Sequence, residues 1–161
     1  MSALEQLYQQ VILDHARERH GEGLIDTTGA EMAGESFQVN PTCGDEVTLR
    51  LRLGLPGESG SPVVADLGWE GVGCSISRAS LSILTDLVVG KDLREVDELA
   101  EDFRALMGNR GEAIATEREE RLEDGAALVG VAKFPARIKC ALLGWMALRD
   151  ASAKALVTQD S

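Results

Sequence analysis

Residues 46 to 53 alternate without interruption: Val47, Leu49, Leu51 and Leu53 are apolar, while Glu46, Thr48, Arg50 and Arg52 are polar. A period of two puts the apolar set on one face of an extended strand and the polar set on the other, so this stretch demands a sheet with one buried face. The turn-forming run Leu55-Pro56-Gly57-Glu58-Ser59-Gly60-Ser61-Pro62 comes next, followed by a second extended run from Val63 to Glu70. Together they form an antiparallel hairpin. Phe37 and Val39 begin a further strand-like stretch upstream, broken by Asn40-Pro41.

Helical spacing accounts for most of the rest. Leu4, Leu7, Tyr8, Val11 and Ile12 share one face of an N-terminal amphipathic helix that Gly21 and Gly23 terminate. His15 falls on its polar face, the place of a capping or surface residue. Gly71-Val72-Gly73 ends the hairpin, and Ile76, Ala79, Ser80, Ile83, Leu84, Leu87 and Val88 take up helical spacing until Gly90, so Cys74 sits at a strand-to-helix turn. Leu93, Val96, Leu99, Ala100, Phe103, Leu106 and Met107 give a surface helix, and Gly108 to Gly125 reads as loop plus one short helix. From Phe134-Pro135 a long C-terminal helix carries Ile138, Leu142, Trp145 and Leu148 as its buried stripe, with residues 157–161 expected to fray. Helix, strands, then helices make an α+β fold, a small antiparallel β-sheet packed on one side against several α-helices. With 161 residues, 44% of them apolar, and no repeat or linker, the chain reads as a single domain spanning 1–161.

Charge narrows the partners. Sixteen Lys and Arg against 27 Asp and Glu give a formal charge of -11, which argues against a phosphate-binding surface and hence against nucleic acid. Residues 92–124 hold 12 acidic and 5 basic side chains, a run that reads as a solvated face. No apolar stretch approaches the roughly 18 to 20 residues of a membrane span, and Met1 to Gln10 lacks the pattern of a secretory leader, so the expected location is cytoplasmic. Three cysteines cannot all pair within one chain and suit a reducing compartment.

Those cysteines carry the chemistry. Cys43, Gly44 and Asp45 lie just before the alternating strand, where i, i+2 spacing lets a thiolate and a carboxylate point to one side. Cys74 opens a helix, where unpaired N–H groups favour a thiolate. Cys140 lies in the early turns of the last helix, one turn after Arg137, which can favour its anionic form through space. Three thiolates and a carboxylate match the four ligands of a tetrahedral zinc, although no C-x-x-C knuckle is present. A hard carboxylate on zinc suggests a working site more than a staple. Other patterns fade. Gly71-Val72-Gly73 imitates a dinucleotide fingerprint, but Ile76 stands where its third glycine belongs. A Cys-His-Asp hydrolase lacks a nucleophile elbow.

Over most of its length the chain resembles the IscU and SufU group of iron-sulfur cluster assembly proteins. The resemblance rests on Leu7-Tyr8-Gln9-Gln10-Val11-Ile12 with Asp14-His15, on Asn40-Pro41-Thr42-Cys43-Gly44-Asp45, on Gly71-Val72-Gly73-Cys74-Ser75-Ile76-Ser77 with Ala79-Ser80, and on Phe134-Pro135-Ala136-Arg137-Ile138-Lys139-Cys140. Lys139, where IscU-type members carry His, and the acidic stretch before it point to the SufU branch. The resemblance implies a Zn2+ site made by Cys43, Asp45, Cys74 and Cys140. It also implies a zinc-dependent sulfurtransferase in which Cys43 accepts persulfide sulfur from a SufS-type cysteine desulfurase, with support from Arg137, and passes it to downstream iron-sulfur assembly proteins. A scaffold that builds a 2Fe-2S cluster on the same four ligands is the alternative. An adaptor in which zinc only holds the fold is the third reading.

Overall fold

A computed structural model describes residues 2–56 and 60–160, with side chains described as far as Val157. Three strands form an antiparallel meander in the order β1 (Ala33–Asn40), β2 (Asp45–Gly54) and β3 (Val63–Val72). The helices are α1 (Ala3–Glu18), α2 (Ser75–Val88), α3 (Leu93–Met107), α4 (Thr116–Leu122) and α5 (Pro135–Asp160), with a 3-10 helix, Glu123–Lys133, before the last. The period-two pattern of β2 is realised as read: Val47, Leu49, Leu51 and Leu53 are buried, while Thr48, Arg50 and Arg52 stay half-exposed. Leu49 lies opposite Trp69 and Leu51 opposite Leu67, so the buried faces of β2 and β3 are continuous. Residues 57–59 of the expected turn lie outside the described residues.

Strand β1 starts four residues before the expected Phe37, and the reason is Gly34. A methyl group there would overlap the carbonyl oxygen of Ala151, so the glycine that weakens the local strand pattern is what lets α5 lie on the sheet. Small buried residues let α5 approach two elements: Ala151 and Ala155 lie against Gly34 of β1, while Ala141 and Gly144 face Ser80, Leu81 and Leu84 of α2. Trp145 and Leu148 are buried as expected, but Ile138 and Leu142 are only partly so, because these close contacts are centred on alanine and glycine. Helix α5 runs from Pro135 to Asp160, and Ser161, at the end of the stretch expected to fray, lies outside the described residues.

Two expectations for polar residues fail. His15, expected on the surface, is 5% exposed, and its ring nitrogens reach Ser82 Oγ on α2 and Asp124 Oδ2 at the start of the 3-10 helix, both at 2.8 Å. The reason is that α1 packs through its second half, whereas Leu4 and Leu7 in its first turns remain exposed. Within the acidic stretch Asp102 is 2% exposed and accepts hydrogen bonds from Arg118 at 2.6 Å and Arg121 at 2.9 Å. That part of the charge run is a buried tie between α3 and α4, not a solvated face.

Candidate metal centre

The site forms where the β1–β2 turn, the end of β3 and the first turn of α5 meet. Asn40 and Asp45 are register partners at the turn end of the β1–β2 hairpin, and Asn40 shapes the loop between them. Its side-chain oxygen accepts the Thr42 amide at 3.2 Å, and its carbonyl accepts the Gly44 amide at 2.9 Å. Gly44 has φ +74°, a left-handed conformation that glycine adopts without a Cβ penalty. The turn leaves Cys43 exposed at its tip and directs Asp45 inward, 2% exposed.

Helix α2 closes the second side. Cys74 is its N-cap residue with extended backbone, and its side chain makes no capping bond to the helix. Its amide donates to Asp45 Oδ1 at 3.1 Å and its thiol to Oδ2 at 3.4 Å. The Ser77 hydroxyl, also buried, donates to the same Oδ2. Gly73 is required here, since a Cβ would sit 2.9 Å from Asp45 Oδ1. Helix α5 brings in Cys140, 3% exposed, with its sulfur 3.1 Å from that of Cys43 and 3.9 Å from the Asn40 amide nitrogen that donates to it.

Cys43, Asp45 and Cys140 thus present two sulfurs and a carboxylate oxygen within 4.8 Å of one another. Cys74 joins them through its contact with Asp45. Burial pushes the Asp45 carboxyl up, but the Ser77 hydroxyl, the Cys140 and Cys43 thiols and the Cys74 amide outweigh it and hold the group below its ordinary range. Burial pushes the Cys140 thiol strongly up, reinforced by Cys43 and Asp45, which corrects the expectation that Arg137 favours its anion. The contact the structure gives Arg137 is with Phe134, its guanidinium carbon 5.0 Å from the ring centroid. A divalent cation reverses the logic of the cluster, because a coordinating thiol is deprotonated outright. The donor set, three sulfurs and one carboxylate on three different elements, fits a four-coordinate zinc. Asn40 and Ser77 orient these donors without being donors themselves. The signals for them were an Asn-Pro-Thr turn and a serine in the first turn of α2.

A small three-stranded α+β fold with a thiol and carboxylate cluster at one end of its sheet defines a class of cysteine-based metal or cluster-handling protein. The chain matches the NifU-like N terminal domain family over residues 7–141 and belongs to it. It is 39% identical over 154 residues to the zinc-dependent sulfurtransferase SufU of Bacillus subtilis, covering 94% of this chain and 92% of that one. It is 37% identical over 152 residues to the iron-sulfur cluster assembly scaffold protein IscU of Streptococcus pyogenes, covering 94% and 86%. A crystal structure described as an iron-sulfur cluster assembly scaffold protein for the SUF system, from Fervidobacterium islandicum, superposes with a TM-score of 0.71 at 29% identity, covering 91% of this chain and 97% of that one. The relationship to IscU and SufU proteins places the chain in iron-sulfur cluster assembly. No helix of the described residues is long and apolar enough to cross a membrane.

Proposed function

We propose that the protein is a zinc-dependent sulfurtransferase of the cytoplasm, held in its active form by zinc on Cys43, Asp45, Cys74 and Cys140. The observation that carries this reading is the asymmetry of the cluster: Cys43, at the tip of a turn, and Cys74, at the start of α2, are exposed, while Asp45 and Cys140 are buried. Of the two exposed thiols, Cys74 is tied to Asp45 through its amide and its sulfur, which leaves Cys43 on its turn as the donor free to meet a partner while the others stay in place. Zinc, when bound, supplies the positive charge that keeps these thiols deprotonated at neutral pH and adds no redox chemistry.

The transfer itself is thiol exchange. The Cys43 thiolate attacks the outer sulfur of a persulfide on a SufS-type cysteine desulfurase. A sulfur-sulfur bond forms on Cys43 as the desulfurase cysteine leaves as a thiolate, with no net oxidation. The new persulfide then passes to downstream iron-sulfur assembly proteins. Arg137, exposed one turn before Cys140, offers a cation to the anionic persulfide. Val39 and Val72, register partners of Glu46 on either side, are exposed at the same end of the sheet and give a partner an apolar rim.

The test is desulfurase turnover under reducing conditions with and without the zinc-loaded protein. Stimulation that disappears with Cys43→Ala, while the variant stays folded, supports sulfur transfer. Equal loss of fold in Cys43→Ala and Cys140→Ala, with no sulfur on any thiol, means that zinc only holds the structure. The similarity to scaffold proteins named IscU favours a second reading, assembly of a 2Fe-2S cluster on the same donors. No stimulation with zinc bound, together with a reconstituted cluster that passes intact to an apo-acceptor, selects it.

A further inference from the structure

A second group of ligand-type side chains lies near the other end of α2. One ring nitrogen each from His15 and His20 and a carboxylate oxygen of Asp86 lie within 4.8 Å of one another. Asp86 is 12 residues beyond Cys74, about 18 Å along a helix that rises 1.5 Å per residue, so this group is separate from the thiol cluster. His20 Nδ1 is 2.7 Å from Asp86 Oδ2, and its Nε2 is 3.0 Å from Glu18 Oε2. His15 Nε2 is 2.8 Å from Asp124 Oδ2, and its Nδ1 faces Ser82 Oγ, which also accepts the His20 amide at 3.0 Å. The two rings meet edge to face at 71° with centroids 5.2 Å apart.

We infer that His15, His20 and Asp86 form a second cation site, for a divalent first-row transition ion bound through nitrogen and oxygen. Three features of the structure support it. His20 has Asp86 on Nδ1 and Glu18 on its far nitrogen, the arrangement that fixes the tautomer of metal-bound histidines, and His15 is oriented by Ser82 and Asp124. The backbone of His20 is pinned on both sides, its amide to Ser82 and its carbonyl to Trp69 Nε1 at 2.8 Å, so the ligand is held before any ion arrives. A cavity of about 280 Å³ lined by His15, Ile83, Asp86, Leu87, Glu123 and Asp124 reaches two of the three ligands, His15 and Asp86.

The separation of His20 Nδ1 from Asp86 Oδ2 lies within a few tenths of an ångström of the roughly 2.9–3.4 Å between neighbouring ligands about 2.0–2.1 Å from zinc. The Asp86 and Glu18 carboxylates favour positive charge at His20 and hold its pKa above the ordinary value, so a dication would take the place of that proton. The donors are imidazole and carboxylate with no sulfur, so the site selects differently from the thiol cluster. It ties the end of α1, and the segment after it, to α2.

Cobalt(II) titration of the reduced full-length chain tests this, read by absorbance and by the histidine imidazole resonances. The expected result is uptake of two equivalents. One produces thiolate-to-cobalt charge transfer; the other adds none and shifts the His15 and His20 resonances. The double variant His20→Asn with Asp86→Asn changes two partly exposed side chains and keeps the backbone bonds of His20. Its uptake falls from two equivalents to one, with charge transfer intact. Uptake of one equivalent by the unaltered chain with charge transfer and unmoved histidine resonances overturns the inference, and so does a second equivalent that survives the double variant. Histidine shifts without any charge transfer would keep this site and overturn the thiol centre, so the two readings fail separately.

Discussion

Asp45 and Asp102 are equally buried, each 2% exposed, and are held in opposite ways. Asp102 sits between α3 and α4 with two guanidinium groups on its oxygens, both arginines reaching out to solvent. Asp45 has a serine hydroxyl, a backbone amide and thiols around it, and among the described residues no cationic side chain pairs with it. For both, burial pushes the carboxyl up and hydrogen bonds more than reverse it. A buried carboxylate whose counter-charges belong to the chain is a structural tie. One surrounded by further metal-ligand side chains and no counter-charge is prepared for a cation from outside.

Exchanging the two carboxylates for alanine should separate these roles. Asp45→Ala is expected to lower zinc affinity by roughly 100-fold or more, since even the partners of metal ligands are worth 10–100-fold. Competition with a chromophoric chelator measures it, and an unchanged affinity would mean that Asp45 is not a ligand. Asp102→Ala should leave zinc affinity alone and cost about 1.5–3 kcal/mol of stability, the range for hydrogen bonds to charged groups. Urea denaturation of the chain at fixed free zinc reads this directly.

Acid should expose the same contrast. The Asp102 carboxyl is lower in the folded chain than its ordinary 3.8, so between the two values the unfolded chain binds the extra proton. Its contribution is therefore fully present above about pH 4 and disappears as pH falls through the folded value. The stability gap between the natural chain and Asp102→Asn should be constant from pH 7 to 5 and narrow below 3.8. A gap that widens on acidification would refute the assignment. The smallest effect belongs to Ser77→Ala, which removes one hydroxyl from Asp45 and should weaken zinc binding by about tenfold, toward the lower end for an outer-shell partner. No loss of affinity there would show that Asp45 is positioned by the Cys74 amide alone.

Much of the scaffold was legible because its signals are local. Strict alternation from Glu46 to Leu53, turn-forming residues after it and helical spacing from Ile76 to Val88 each act over a few neighbouring residues, and β2, β3 and α2 formed there. Reading failed where a residue answers to a distant partner. Gly34 lies upstream of the strand expected from Phe37 and is the point where α5 touches β1. Alanines of α5 carried little periodic signal, yet Ala151 and Ala155 are where it meets β1. His15 and Asp102 looked solvated because polarity is a property of the side chain, whereas their burial was decided by Ser82, Asp124 and two arginines elsewhere.

The candidate thiol centre divides in the same way. The sequence alone put Cys43 and Asp45 on one turn and Cys74 at the start of a helix, since spacing, glycine and helix termini are local geometry. That the Cys140 sulfur, 97 residues further along the chain, lies 3.1 Å from that of Cys43 was decided only by the packing of α5 on the sheet. The tertiary structure also decided that Cys43 and Cys74 face solvent and that Cys140 is buried. Both depend on how whole elements pack, and no short-range pattern of residue types encodes that.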